Sequence, residues 1–368
     1  MLRQTLRPLT QPARYEFPTR SSLLAPRPAR GFTLVELLVV ITIIAILASL
    51  LVVAATAAMN RARFARIKLE VDSIHQGMET YKNDVSGGDY PPNATIGVQM
   101  KSLNPSATVI QLTTGVKNDV VRHFKKVAPR GRGEDALIQG LAGGDMSALN
   151  ATTSDGGSIL IGGLTPAEAL VFWLNGFSSD PKAPLTGTGG PAYVMSDAND
   201  KNGGAEGRQP VFPFEVPRLG PRDDNGNFAG RWIQFQPPTG GSTYRINLWQ
   251  YYPPGSQQPL VYFDTSRPLM DVEPQAGPHV PNVVHAIKQL DTASTASGTA
   301  SLRYANEGKF QILHCGLDDT WGGFEAMSII DSGGVPAEML LFPNGPFTLD
   351  LADTVTNFTD STLEDAQP

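Results

Sequence analysis

Two places in the chain carry residues whose types and spacing could do chemistry. Residues 310–323 read Phe-Gln-Ile-Leu-His-Cys-Gly-Leu-Asp-Asp-Thr-Trp-Gly-Gly, which sets Cys315, the single cysteine, between His314 and the pair Asp318 and Asp319. A thiolate nucleophile needs a base, and the base needs a third group to orient it. No local motif supplies that third group. Residues 31–36 read Gly-Phe-Thr-Leu-Val-Glu and open a run, 37–53, whose only polar members are Thr42 and Ser49. Glu36 is the sole charge from Phe32 to Met59. A charge deep in hydrocarbon costs about 2.5–3.5 kcal/mol on insertion scales and less near the interface. Glu36 therefore calls for a partner or for a place at a helix end.

The rest of the chain offers little catalytic chemistry. None of the five histidines, His75, His123, His279, His285 and His314, stands in an H-E-x-x-H or C-x-x-C setting. There is no nucleophile-elbow, phosphate-loop or dinucleotide motif. Asp180, Asp197, Asp200, Asp223 and Asp224 fall in Gly- and Asn-rich stretches. A solvated loop explains them more simply than paired carboxylates for glycoside hydrolysis. No covalent chemistry is expected of this chain.

These residues must be positioned by a long helix. The apolar run suits a membrane-crossing helix of about 20 residues. Beyond Met59 the helical period persists, because Ile67, Val71, Ile74, Met78 and Tyr81 recur at steps of four, three, four and three. Gly87-Gly88 and Pro91-Pro92 end the pattern. A helix over 32–83 would be roughly 75–80 Å long at 1.5 Å per residue. Its first half would lie in lipid and its second half against a globular body. Thr33-Leu34-Val35-Glu36 fits a capping box, in which Glu36 satisfies N–H groups of the first turn. Arginines flank the run on both sides, Arg20, Arg27 and Arg30 before it and Arg61, Arg63 and Arg66 after it, so the charges leave orientation open. Four alanines at 54, 55, 57 and 58 also keep open an ordinary signal peptide cleaved there.

Arg30-Gly31-Phe32, Glu36 and the apolar run together closely resemble the processing site of type IV pilins and type II secretion pseudopilins. The resemblance implies a cytoplasmic leader, 1–31, cut after Gly31 by a prepilin peptidase that then methylates the new amino terminus at Phe32. It implies that Glu36 pairs with the terminal amine of a neighbouring subunit, and that the partners are other pilin subunits, inner-membrane assembly machinery and membrane lipid. Many family members carry a helix-kinking Pro late in the apolar segment. Val53 stands at that place here, and no Pro precedes Pro91. The stretch 78–93, Met-Glu-Thr-Tyr-Lys-Asn-Asp-Val-Ser-Gly-Gly-Asp-Tyr-Pro-Pro-Asn, is similar to the major pseudopilin of type II secretion. So is 310–323, where the family's loop binds calcium; Asp318 and Asp319 are the carboxylates at that spot. Calcium takes six to eight oxygens, so two adjacent Asp do not suffice alone.

The body, 85–368, reads as a loop-rich antiparallel sheet. Thr165-Pro166-Ala167-Glu168 predicts a capped helix to about Asn175, and a further helix is expected over 119–127. Strands are expected at 231–235, 243–249, 260–263, 309–314 and 338–342. Residues 131–163 and 178–230 read as long Gly/Pro-rich inserts, and 353–368 as a polar, partly disordered tail. The expected fold class is α+β, a long N-terminal helical spine packed on this sheet.

The 368 residues include 37 Gly and 30 Pro, which suits short strands and many turns. Residues 1–31 hold six Arg and one acid, a net of +5; the whole chain is −6, so the remainder carries −11. An acidic body excludes nucleic acid as an expected partner. One cysteine allows no intrachain disulfide. The leading expectation is a filament subunit held in the cytoplasmic membrane, with its body outside the cytoplasm. The second is an anchored or secreted binding protein or hydrolase that borrows a pilin-type signal. In that case Trp173, Trp232, Trp249 and Trp321 would line a groove, although each is more simply core.

Overall fold

A computed structural model describes residues 31–92, 97–99, 109–110, 114–195, 204, 209–237, 240–266, 272–274, 284, 286–291, 301–321, 342–343, 347 and 349–367. The leader residues 1–30, strand residues 338–341, His279, His285, Asp197 and Asp200 lie outside them. The helices are α1 (Leu34–Thr80), α2 (Thr114–Val127), α3 (Asp135–Leu141), α4 (Pro166–Leu174) and α5 (Leu349–Ala352). The strands are β1 (Gly97–Gln99), β2 (Val109–Ile110), β3 (Thr152–Thr153), β4 (Ala192–Val194), β5 (Leu219–Gly220), β6 (Trp232–Phe235) and β7 (Tyr244–Asn247). They continue with β8 (Gln250–Tyr251), β9 (Val261–Asp264), β10 (Val272–Pro274), β11 (Lys288–Asp291), β12 (Ser301–Tyr304), β13 (Phe310–His314) and β14 (Val355–Thr356). The chain divides into two compact units, 1–56 and 57–368.

The first unit holds the start of α1. No residue of the 18-residue apolar window is buried by protein, and Phe32 is 72% exposed. The hydroxyls that interrupt the run bond to their own helix: Thr42 donates to the Leu38 carbonyl, Ser49 to Ile46 and Thr56 to Val53, at 2.7–2.9 Å. No hydroxyl proton is thereby left to face an apolar surround. α1 runs unbroken through Val53, as the absence of a proline there allows. Its last turn passes into a π-helical turn, Tyr81–Val85.

In the second unit the periodic stripe is the core. Ile67, Val71, Ile74, Met78 and Tyr81 are each no more than 1% exposed. They share one cluster with Leu170 and Trp173 of α4 and with Tyr262, Phe310 and Ile312 of two adjacent strands. α4 is buried on every face, and its capping box forms as expected, with Thr165 and Glu168 bonding reciprocally. The Tyr90-Pro91-Pro92 turn is clasped over this core. Trp173 Nε1 donates to the Pro92 carbonyl at 3.0 Å, Tyr262 OH to Pro91 at 2.8 Å, and Tyr90 OH to Glu79 at 2.9 Å.

Among the described residues every strand pair is antiparallel, but the strands form five small sheets rather than one. The largest has the order β3-β6-β7-β4; a second has β14-β13-β9, with Phe310 opposite Asp264 and Leu313 opposite Val261. Frequent Gly and Pro limit each strand to two to five residues, which keeps the sheets narrow.

Three expectations need correction. Residues 131–163 are not one long loop: α3 buries Leu137, Ile138 and Leu141 in the core, and Glu134 accepts the Leu185 and Thr186 N–H groups. Within 178–230, Ala192–Val194 pairs with β7 and Leu219–Gly220 with β8. The tail, in its described part 353–367, is packed rather than partly disordered. β14 lies alongside β13, and Val355 and Leu363 are fully buried. Asn357 Oδ1 accepts the Ile312 N–H at 2.8 Å, so a polar residue extends the sheet where sequence polarity suggested solvent.

Candidate functional site

The N-terminal end of α1 shows what Glu36 does within one chain. Its Oε2 accepts the Thr33 N–H and the Thr33 hydroxyl, both at 2.9 Å, while the Glu36 N–H donates to Thr33 Oγ1 at 3.2 Å. This is the reciprocal capping box, and it satisfies otherwise orphaned donors of the first turn. Both bonds to the carboxylate use Oε2. Oε1 has no hydrogen bond among the described residues. Cap and intersubunit partner are therefore compatible roles, because one oxygen closes the helix and the other remains for a cation. Gly31 is exposed, and a Cβ built there meets nothing within 4 Å. Its substitution would test processing without disturbing a contact.

The loop after β13 brings together residues that the sequence left apart. His314 Nδ1 accepts the Gly316 N–H at 3.1 Å. The proton must then sit on Nε2, which lies 2.8 Å from Ser256 Oγ and donates to it. The Ser256 hydroxyl donates in turn to Asp319, which also accepts the Gln257 N–H at 3.1 Å. Arg63 of α1 donates to the Gly255 carbonyl at 2.9 Å and stands 3.8 Å from the second Asp319 oxygen. Nothing in the sequence signalled Ser256, 58 residues before His314. Serine, histidine and aspartate meet here, but in the wrong proton order for nucleophilic catalysis. The imidazole is a donor to the serine and not its base. Burial pushes the His314 imidazole down to about 4, so it is neutral at physiological pH. Burial first, then Asp319, Asp318 and Asp353, push the Cys315 thiol far up, which leaves it inert.

The same geometry decides what metal this loop suits. Among the described residues, the one His/Cys/Asp/Glu group close enough to share an ion is His314, Cys315 and Asp319. A metal on a histidine wants the other ring nitrogen to donate, whereas Nδ1 here faces an N–H. The thiol is also held protonated. Asp318 is not part of that group; it caps its own turn by accepting the Thr320 N–H at 2.9 Å. Asp353 accepts the Leu317 N–H at 2.9 Å, pressed so close to Gly316 that a Cβ would overlap its carboxylate. Asp318 and Asp319 thus serve separate protein partners. Asp318 also stands outside the one group of described residues close enough to share an ion, so among them no calcium shell is assembled around the pair.

The remaining candidates resolve into structure. Trp173, Trp249 and Trp321 are buried, and Arg245 lies over the half-buried Trp232 at 4.5 Å. Asp223 closes a turn with Asn225 and Asn227. The residue that sequence reading missed most plainly is Arg231, 2% exposed. It joins Asp155 at 2.9 Å to the fully buried Glu168 at 3.0 Å and donates to the Gly163 and Ile161 carbonyls. This network ties α4 to its neighbouring loops.

A comparison with protein families matches residues 26–52 to the prokaryotic N-terminal methylation motif. No curated protein and no solved structure matches the chain. The matched segment spans Gly31, Phe32, the Thr33–Glu36 box and the exposed apolar part of α1. It carries the motif by which prepilins are recognised for processing, and it opens the one helix among the described residues that is long and apolar enough to cross a membrane.

Proposed function

We propose that this chain is a structural subunit of a pilin-like filament, of the kind that forms the pseudopilus of type II secretion, and that it has no catalytic role. The observation that carries the reading is the coincidence of the methylation motif with a helix whose apolar window has no buried residue. Such a surface is stable in lipid before assembly and against other copies of the helix afterwards. The prepilin peptidase would cut after Gly31 and methylate Phe32. The apolar half of α1 would hold the subunit in the cytoplasmic membrane, with the leader inside and residues 59–368 outside. Assembly machinery in that membrane would then draw subunits into the filament.

The test is the mature terminus. Mass spectrometry of the chain expressed with a prepilin peptidase should find a sequence beginning at N-methylated Phe32. Gly31→Val should leave the full leader in place, since a side chain at this open position obstructs only the peptidase. A terminus near Ala58 would instead identify an ordinary signal peptide and remove the filament reading.

A further inference from the structure

We infer that Arg61 and Arg66 form a docking surface for the anionic phospholipid headgroups of the membrane leaflet on the body's side. The inference rests on the reading that the apolar half of α1 spans the membrane.

Four cations follow the apolar run, and the structure divides them. Arg63 is spent on the Gly255 carbonyl and Asp319. Lys68 is spent on Asp72 at 2.8 Å and the Thr356 carbonyl at 3.0 Å. Arg61 and Arg66 are exposed and have no ion pair or hydrogen bond among the described residues. The nearest acids of α1 are already committed. Glu70 takes Arg218 and the Tyr251 hydroxyl, and Asp72 takes Lys68. Two guanidinium groups are therefore presented outward while their neighbours are used to hold the fold.

Their placement suits a headgroup layer. At 1.5 Å per residue, Arg61 lies about 3 Å and Arg66 about 10 Å beyond Met59 along the helix. The headgroup region on each side of the hydrocarbon is roughly 5–8 Å deep. In a helix each Cα–Cβ bond leans toward the N-terminus, so both side chains reach back toward the membrane. At about 100° per residue the two arginines are some 140° apart around α1. The arc between them holds Ala58, Ala62, Ala65 and Leu69, all exposed, with Leu69 70% so. A small apolar strip bordered by two cations fits the boundary between acyl chains and phosphates. Guanidinium pairs with phosphate oxygens through parallel N–H bonds, and each basic residue near an anionic surface is worth roughly a fivefold preference.

The experiment uses the full chain in micelles holding equimolar phosphatidylglycerol and phosphatidylcholine, with retained lipid counted by native mass spectrometry. Wild type should retain phosphatidylglycerol in excess, by roughly fivefold for each arginine. The pair Arg61→Gln and Arg66→Gln should lose the share of the excess that these two arginines give, the leader's six arginines being common to both chains. Arg61→Lys with Arg66→Lys should keep it, and Arg122→Gln, a control elsewhere on the surface, should leave it unchanged. Inorganic phosphate should not compete. Equal retention of the two lipids by wild type, or an unchanged excess in the glutamine pair, would overturn the proposal. So would competition by inorganic phosphate, which would mark a free-anion site. A glutamine pair that retains lipid normally but loses filaments would give the arginines to a protein partner instead. Release of the chain from membranes by alkaline carbonate would fail the membrane reading itself, separately from these outcomes.

Discussion

At the scale of single residues, two buried groups set measurable behaviour. His314 is wholly buried, and its folded value of about 4 lies below the ordinary imidazole value near 6.5. Asp319, which favours the charged ring, and Arg63, which opposes it, are the charges that act on it. Between pH 4 and 6.5 the unfolded chain binds the extra proton, so stability rises with pH there and falls on acidification, at up to about 1.4 kcal/mol per pH unit. The melting temperature of the full chain in detergent should drop across that window, and His314→Asn should flatten the drop. Arg231 makes the second prediction. Burial works against ionising Asp155, but the hydrogen bond and charge of Arg231 outweigh it and hold that carboxyl below its usual range. Arg231→Met would strand the fully buried Glu168 carboxylate, a change that typically costs about 3–5 kcal/mol. Adding Glu168→Gln should recover part of the loss in the melting temperature, because the stranded charge is then removed.

At the scale of elements, α1 carries a helix end that serves two roles. Glu36→Gln retains an oxygen for the Thr33 donors and removes the charge, whereas Glu36→Ala removes both. Loss of a cap costs about 0.5–2 kcal/mol, too little to melt a 47-residue helix. Both variants should therefore be processed and inserted normally. If the free Oε1 meets a neighbour's terminal amine, both should be poor in filaments seen by electron microscopy. Filaments from Glu36→Gln but not from Glu36→Ala would assign the requirement to the cap alone.

At the scale of the whole molecule, the loop after β13 is held by protein groups. Ser256 and Gln257 engage Asp319, Leu317 engages Asp353, and Thr320 engages Asp318. A ligand that binds only the folded state raises stability by mass action. Calcium is therefore expected to leave the melting temperature of the full chain unchanged in a calorimetric titration. A rise that Asp318→Ala abolishes would show instead that the loop takes the ion after all.

What sequence alone determined is what neighbours along the chain decide. The buried stripe from Ile67 to Tyr81 follows from a 3.6-residue period. The two capping boxes, Thr33 with Glu36 and Thr165 with Glu168, close across three residues. Four of the five expected strands appear close to their expected places, between 232 and 314, and of the fifth, expected at 338–342, only Phe342 lies among the described residues, in a turn. Each of these depends on side chains within a turn or a pleat of one another. Only the tertiary structure decided the rest, because the deciding partners lie far away in the chain. Arg231 needs Asp155 and Glu168, 76 and 63 residues distant. Ser256 meets His314 across 58 residues, and Asn357 completes β13 across 45. A lone polar residue reads as solvent-exposed until the fold supplies a buried partner. It was the fold that turned a polar tail into a strand, and that left two of four cations free while using the other two.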